Sequence, residues 1–150
     1  MYSFQTLNIA EVEIISSWLM SEDEGNIDMD TYFKSAKRKD EPLKGPGNCL
    51  GYAVFDDGGN LVGLFEFYPK RLDFEIGLAM APDLRGLGKG LKFVEAGIEF
   101  GLKLFPKAKN IFLEVRDRNY AAIKIYKALN FVETSEKDGS LKMKKKLKKD

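Results

Sequence analysis

Three glycines, Gly86, Gly88 and Gly90, alternate with Leu87 and Lys89 in the stretch RGLGKG, and Arg85 opens it. Glycines spaced this closely let a backbone approach a ligand, and the flanking Arg85 and Lys89 add positive charge, so the chemistry offered is anion binding. Two nucleotide-binding spacings fail. A P-loop carries Ser or Thr after its Gly-Lys, whereas Lys89 here precedes Gly90 and no hydroxyl follows. A dinucleotide fingerprint places a third glycine three residues after the second, and from Gly86 and Gly88 that position is Leu91. A third geometry remains: a strand ends, glycines turn, and a helix begins. Its first amides lack intrahelical partners and carry the positive end of the dipole, which suits a pyrophosphate.

Composition prunes the chemistry further. The 150 residues include no histidine and one cysteine, Cys49. Ser-His and Cys-His catalysis are therefore excluded, and the commonest zinc ligand is missing, so no metal site is expected. A general base must be a carboxylate, an amine, a tyrosine or water. A single cysteine forms no internal disulfide, and Cys49 reads as a packing residue. No apolar run approaches the roughly 20 residues of a membrane span, and the opening residues carry no basic leader region, so a cytoplasmic location is expected. The last ten residues hold six lysines and one aspartate; without them, 24 basic and 23 acidic residues fall to 18 and 22. A nucleic-acid reader is more often basic over its body, so no nucleic-acid partner is expected, and the lysine run reads as a solvated end.

The elements that must position these residues follow from periodicity. YSFQTL reads as a short strand. Asn8 can cap a helix that shows Ile9, Val12, Ile15 and Leu19 on one face. A second helix is expected over residues 30–37, and KDEPLKGPGN as a loop. DDGGN turns a hairpin between two strands rich in β-branched and aromatic residues, and LDFEIGLAM is the next strand. A long helix after the glycines carries Leu87, Leu91, Val94, Ile98, Leu102 and Phe105 on one stripe and Phe93, Gly97, Phe100 and Leu104 on a second. NIFLEV is a strand, Asn119 caps a short helix, Asn130 ends it, and two strands close the chain. The order β-α-α-β-β-β-α-β-α-β-β predicts an α+β fold with helices interrupting a mixed sheet, in one domain.

RGLGKG resembles the pyrophosphate loop R/Q-x-x-G-x-G/A of the GNAT superfamily of N-acetyltransferases, with Arg85, Gly88 and Gly90 at the fixed positions. LEVRDRNYAAIKIYKALNF resembles that family's second signature, E-V-x-x-x-N-x-x-A-x-x-x-Y-x-x-x-G-F. Glu114, Val115, Asn119, Ala122, Tyr126 and Phe131 fall in register, and Asn130 stands where glycine is usual. The resemblance implies a mixed, mostly antiparallel sheet of six to seven strands, about four helices, and a splayed strand pair for the cofactor. It assigns residues 61–131 to an acetyl-CoA-binding core and residues 1–48 to a variable acceptor side.

The implied reaction is transfer of an acetyl group from acetyl-CoA, as co-substrate, to a primary amine by direct attack in a ternary complex. The implied cofactor contacts are Leu78, Ala79, Met80, Arg85, Gly86, Leu87, Gly88, Lys89, Gly90, Asn119 and Tyr126, with backbone groups of Leu78 and Met80 pairing with the pantetheine. Tyr126 matches the general acid for the departing thiolate. Glu114 and Glu75 both match positions where relatives carry a base, and water is the third option. A non-catalytic acyl-CoA-binding module is the competing reading. The acceptor, a small-molecule or protein amine, is open; Glu22, Asp23, Glu24, Asp28 and Asp30 would favour a cation if they lined its side. The C-terminal strands offer an edge for homodimer pairing.

Overall fold

The computed structural model describes residues 1–18 and 27–147. In chain order it contains β1 (Ser3–Thr6), α1 (Ile9–Ser16), α2 (Asp30–Lys37), β2 (Leu50–Phe55), β3 (Leu61–Lys70), β4 (Asp73–Met80), α3 (Gly90–Leu104), β5 (Asn110–Arg116), α4 (Tyr120–Ala128), β6 (Val132–Lys137) and β7 (Ser140–Lys146). Among the described residues the strands form one mixed sheet in the order β1-β2-β3-β4-β5-β7-β6. Every neighbouring pair is antiparallel except β4 and β5. The fold is thus the expected α+β arrangement, with seven strands and four α-helices among the described residues.

The β4–β5 pair sets the site. It is in register only at Asp73–Asn110, Phe74–Ile111 and Glu75–Phe112. Beyond Glu75, β4 continues to Met80 and β5 to Arg116 without pairing, so the strands splay and leave a notch between two open edges. Helices α3 and α4 cover one face of the sheet, where Phe93, Val94, Ile98 and Tyr126 meet Phe65, Phe67, Phe74, Ile76, Leu113 and Val115. Helices α1 and α2 cover part of the other face, where Val12, Ile15 and Tyr32 meet Ala53 and Leu64.

Local sequence explains the helices and corrects two expectations. Asn8 caps α1 in a reciprocal box: its side chain accepts from the Glu11 amide at 2.9 Å, and Glu11 accepts from the Asn8 amide at 3.0 Å. Val12 and Ile15 are buried as expected, but Ile9, in the first turn, is 42% exposed, and Leu19 lies outside the described residues. Helix α3 begins at Gly90, not at Leu87, because Gly86 and Gly88 hold left-handed φ angles of 74° and 72° that no right-handed helix accommodates. Leu87 is therefore an exposed loop residue. The buried line of α3 is Phe93, Val94, Gly97, Ile98 and Gly101, and Leu91 and Leu104 face solvent. Glycines choose that line: a Cβ on Gly97 would overlap the Phe65 ring, and one on Gly101 would come within 2.7 Å of Phe74.

The lysine run is not a solvated end. Lys142, Lys144, Lys145 and Lys146 belong to β7, which is paired on both edges, by β5 and β6. Alternation puts Leu141, Met143 and Lys145 on one face, with Leu141 and Met143 in the core, and turns Lys142, Lys144 and Lys146 to the other. Lys145 reaches across to the C-terminal end of α4 and donates to the Leu129 carbonyl at 2.7 Å.

Candidate active site

The glycine turn and the start of α3 form one wall of a cleft of about 330 Å³. Its lining includes Arg85, Gly86, Gly88, Lys89 and Gly90 from the turn, Leu78, Ala79 and Met80 from β4, and Asn119, Ala122, Ile125 and Tyr126 at α4. Nothing lies within 4 Å of a Cβ built on Gly86 or Gly88, so these glycines answer a conformational need alone. Gly90 answers a packing need: a Cβ there would stand 2.5 Å from the Ile125 side chain, and the glycine lets α3 start close against α4. The Phe93 amide donates to the Lys89 carbonyl at 3.1 Å, so the amides of Gly90, Leu91 and Lys92 precede the first turn's bonds. With the helix dipole and the Lys89 ammonium they make this end of the cleft suited to an anion. Leu87 points away from the cleft, and of the turn residues expected there it alone is missing from the lining.

The open edge of β4 forms the second wall. Ala81 donates to the Val62 carbonyl at 2.9 Å, which turns Ala81 toward β3. By antiparallel alternation Ala79 and Gly77 also turn their backbone groups to β3, while Met80 and Leu78 turn theirs to the splay. The Met80 carbonyl accepts from Arg85 Nη2 at 3.2 Å, which ties the turn to the strand end. An extended ligand bearing amides can add to such an edge as a strand would.

Helix α4 brings the polar side chains to the junction. Asn119 caps it, accepting from the Ala122 amide at 3.2 Å. Tyr126, in its last turn, is 6% exposed and packs edge-on against Phe131. Burial pushes its phenol up, so it is protonated at neutral pH and able to donate. A second cavity of about 270 Å³ fills the notch and is lined by Gly77, Leu78, Glu114, Arg116, Asn119 and Tyr126, among others. Leu78, Asn119 and Tyr126 line both cavities and mark where cleft meets notch.

The two sequence-selected carboxylates lie on the opposite face from Tyr126. Parallel register pairs Glu75 with Phe112, which places Glu75, Phe112 and Glu114 together on the α1–α2 face. Glu114 lines the notch; its side chain is 54% exposed, 3.7 Å from Lys142 Nζ. Glu75 sits at the closed end of the splay and pairs with Lys70 Nζ at 2.7 Å. Of the acids that crowd the N-terminal half, Glu22, Asp23 and Glu24 lie outside the described residues. Asp28 and Asp30 are exposed, and the Asp28 carboxylate accepts from the Asp30 amide at 3.0 Å at the start of α2.

Sequence reasoning missed a third carboxylate on this face. Glu66, in the middle of β3, accepts from Tyr32 Oη at 2.5 Å and from Tyr68 Oη at 3.1 Å. Burial pushes its carboxyl up, and the two phenols pull it partway back. The signal was faint: one acid inside the apolar run LVGLFEFY, with its partner Tyr32 34 positions away. Cys49 lies buried beside them, its Sγ 3.7 Å from Tyr32 Oη, and burial pushes its thiol up. Among the described residues no group of three or more His, Cys, Asp or Glu is placed to hold a metal ion, and no helix is long and apolar enough to cross a membrane.

Comparison with known proteins accords with this geometry. The model of the "Acetyltransferase (GNAT) family" matches residues 12–131. No curated protein sequence matches. Several solved structures share the fold. The Campylobacter jejuni N-acetyltransferase PseH in complex with acetyl coenzyme A is 20% identical, with a TM-score of 0.75 over 99% of this chain and 100% of that one. A chimera of the Vibrio cholerae spermidine N-acetyltransferase SpeG and hSSAT is 17% identical, with a TM-score of 0.74 over 97% of this chain and 95% of that one. The V. cholerae spermidine N-acetyltransferase in complex with CoA and spermine is also 17% identical, with a TM-score of 0.73 over 95% and 94%. With residues 12–131 of 150 covered by the family model, the chain belongs to the GNAT acetyltransferase family.

Proposed function

We propose that this protein is an acetyl-CoA-dependent N-acetyltransferase that acetylates a primary amine by direct attack in a ternary complex. One observation carries the reading: a buried, protonated phenol, Tyr126, stands where an anion-binding cleft opens into the β4–β5 notch. The residues fit the co-substrate. Amides at the start of α3, with Gly86, Gly88, Arg85 and Lys89, suit its pyrophosphate; the Leu78 and Met80 edge suits the pantetheine amides; Asn119 borders both cavities. Bound acetyl-CoA supplies an activated acyl group as a thioester. Tyr126 protonates the leaving sulfur, and an amide of the β4 edge polarises the carbonyl. Residues 1–48 furnish the acceptor side, and a carboxylate of the α1–α2 face, Glu114 or Glu75 in the sequence reading, orients or deprotonates the amine.

The acceptor is a small-molecule amine in this reading. The named structural neighbours include spermidine N-acetyltransferases, which makes polyamines the first acceptors to try. The test is release of free thiol from acetyl-CoA, with and without a panel of polyamines, amino sugars and lysine peptides. Amine-dependent release supports the assignment. CoA binding without release on any amine would make the chain an acyl-CoA-binding module instead.

A further inference from the structure

Glu66 is a largely buried carboxylate with no ion-pair partner among the described residues. Leaving a charge so placed is costly, and folding alone would be served as well by an apolar residue in this strand. Yet side chains from separate parts of the chain converge on it. Tyr32 of α2 donates to Oε2, Tyr68 of β3 donates to Oε1, and Cys49 flanks Tyr32. Among the described residues the charge acting on it is that of Asp28, from the segment before α2; Glu75 of β4 lies opposite Tyr68 and is already paired with Lys70.

Gly77 joins this cluster to the notch. It is the register partner of Glu66 across β3–β4. A Cβ built on Gly77 would stand 3.3 Å from Glu66 Oε1 and 3.7 Å from the Tyr68 ring. Gly77 also lines the notch with Leu78 and Tyr126. Glu66 is not itself in the notch lining; Gly77 stands between the carboxylate and the notch and presents no side chain there. Glu66 approaches from the α1–α2 face and Tyr126 from the α3–α4 face, as an amine and a leaving sulfur on opposite sides of a carbonyl require.

We propose that Glu66, held by Tyr32 and Tyr68, receives the reacting amine as an ammonium and takes its proton, so that the acceptor is a cationic alkyl amine. The inference rests on the acetyltransferase reading. An N–H bond of the ammonium breaks, its electron pair stays on nitrogen, and the proton passes to a Glu66 oxygen. The freed pair forms the C–N bond to the thioester carbonyl carbon, and a second amine proton leaves to solvent. The C–S bond breaks with its pair going to sulfur, which takes the Tyr126 proton. Solvent then removes the Glu66 proton and reprotonates Tyr126. Burial favours Glu66 in this role, because it raises the carboxyl above its ordinary value, the direction a base needs. Glu114 is half exposed and Glu75 is already ion-paired.

The test is calorimetry on CoA-saturated protein with three probes, spermidine, n-butylamine and the neutral 1-butanol, comparing wild type with Glu66→Gln. The expected result is binding of both amines and not of 1-butanol, with amine affinity reduced by about tenfold or more in Glu66→Gln. CoA affinity should be unchanged, and the melting temperature equal or higher, since an unpaired buried charge is removed. The kcat/KM profile of the wild type should also lose its fall toward acid pH in the variant. Wild-type amine affinity in Glu66→Gln, or no amine binding by a wild type that binds CoA, would overturn the proposal and leave the acetyltransferase reading standing. A wild type that fails to bind CoA would overturn both. If Glu66→Gln does not fold, Tyr68→Phe and Gly77→Ala decide: several-fold weaker butylamine binding supports the role, and wild-type affinity in both removes it.

Discussion

Tyr126 lines the notch and Glu66 lies behind Gly77 on the other face of the sheet, and they differ in how far the sequence reveals them. Tyr126 is legible because Asn119, Ala122, Tyr126 and Phe131 keep the spacing of the family signature on and beside one short helix, and local spacing survives folding. Glu66 is not, because its environment is assembled from Tyr32, Cys49 and Tyr68 by the packing of α2 on the sheet. No local spacing encodes that burial. For Tyr126→Phe we expect kcat to fall by about a hundredfold or more, the usual worth of a general acid, while CoA affinity measured by calorimetry stays within a few-fold. An unchanged kcat would remove Tyr126 from the acid role. Glu66 also carries a pH signature. Its folded carboxyl titrates above the unfolded value of about 4.3, so between those two pKa values the folded state keeps a proton that the unfolded state has lost. This contribution is complete below the unfolded pKa and is lost as pH rises through the folded one. Urea unfolding should therefore show Glu66→Gln gaining on the wild type as pH rises from about 4 to about 8. A pH-independent difference would contradict the raised carboxyl.

At the scale of elements, the turn and α3 show what periodicity conveys and what it omits. The existence of α3 was legible. Its first residue was not, because the apolar stripe extended the pattern back to Leu87, while the left-handed φ angles of Gly86 and Gly88 stop it. Its buried Phe93, Val94, Gly97 and Ile98 were legible, but Leu91 and Leu104 were wrongly included and Gly101 was missed, since a glycine counts little in a hydrophobic pattern yet allows close approach to the Phe74 ring. Two alanine substitutions separate the roles of these glycines. Gly88→Ala has room for its methyl but not the φ angle, so we expect a stability loss of about 1–2 kcal/mol together with a clear loss of CoA affinity. Gly97→Ala meets the Phe65 ring, so we expect a loss of about 1–3 kcal/mol in urea unfolding with CoA affinity nearly retained. Equal effects of the two on CoA binding would contradict a cradle built by the turn.

At the scale of the molecule, the site exists because one parallel contact interrupts an otherwise antiparallel sheet, and that contact lasts only three residues. The element order was legible from alternation and turns. The splay followed from the family resemblance, since no strand pattern states where two strands part. In the lysine run two readings competed: its charge reads as a free end and its alternation as a closing strand, and the strand holds, because Leu141 and Met143 between the lysines anchor β7 inside the sheet. Truncation after residue 141 should therefore unfold the protein rather than spare it, with loss of a cooperative melting transition as the readout. The central claim is that the co-substrate lies along the turn, the start of α3 and the open edge of β4. Amide hydrogen exchange with and without CoA tests it most directly. Slowed exchange at Leu78, Met80 and Gly86 to Lys92, with β6 and β7 unchanged, is the result the account requires. Protection confined to β6 and β7, or no protection at saturating CoA, would contradict it.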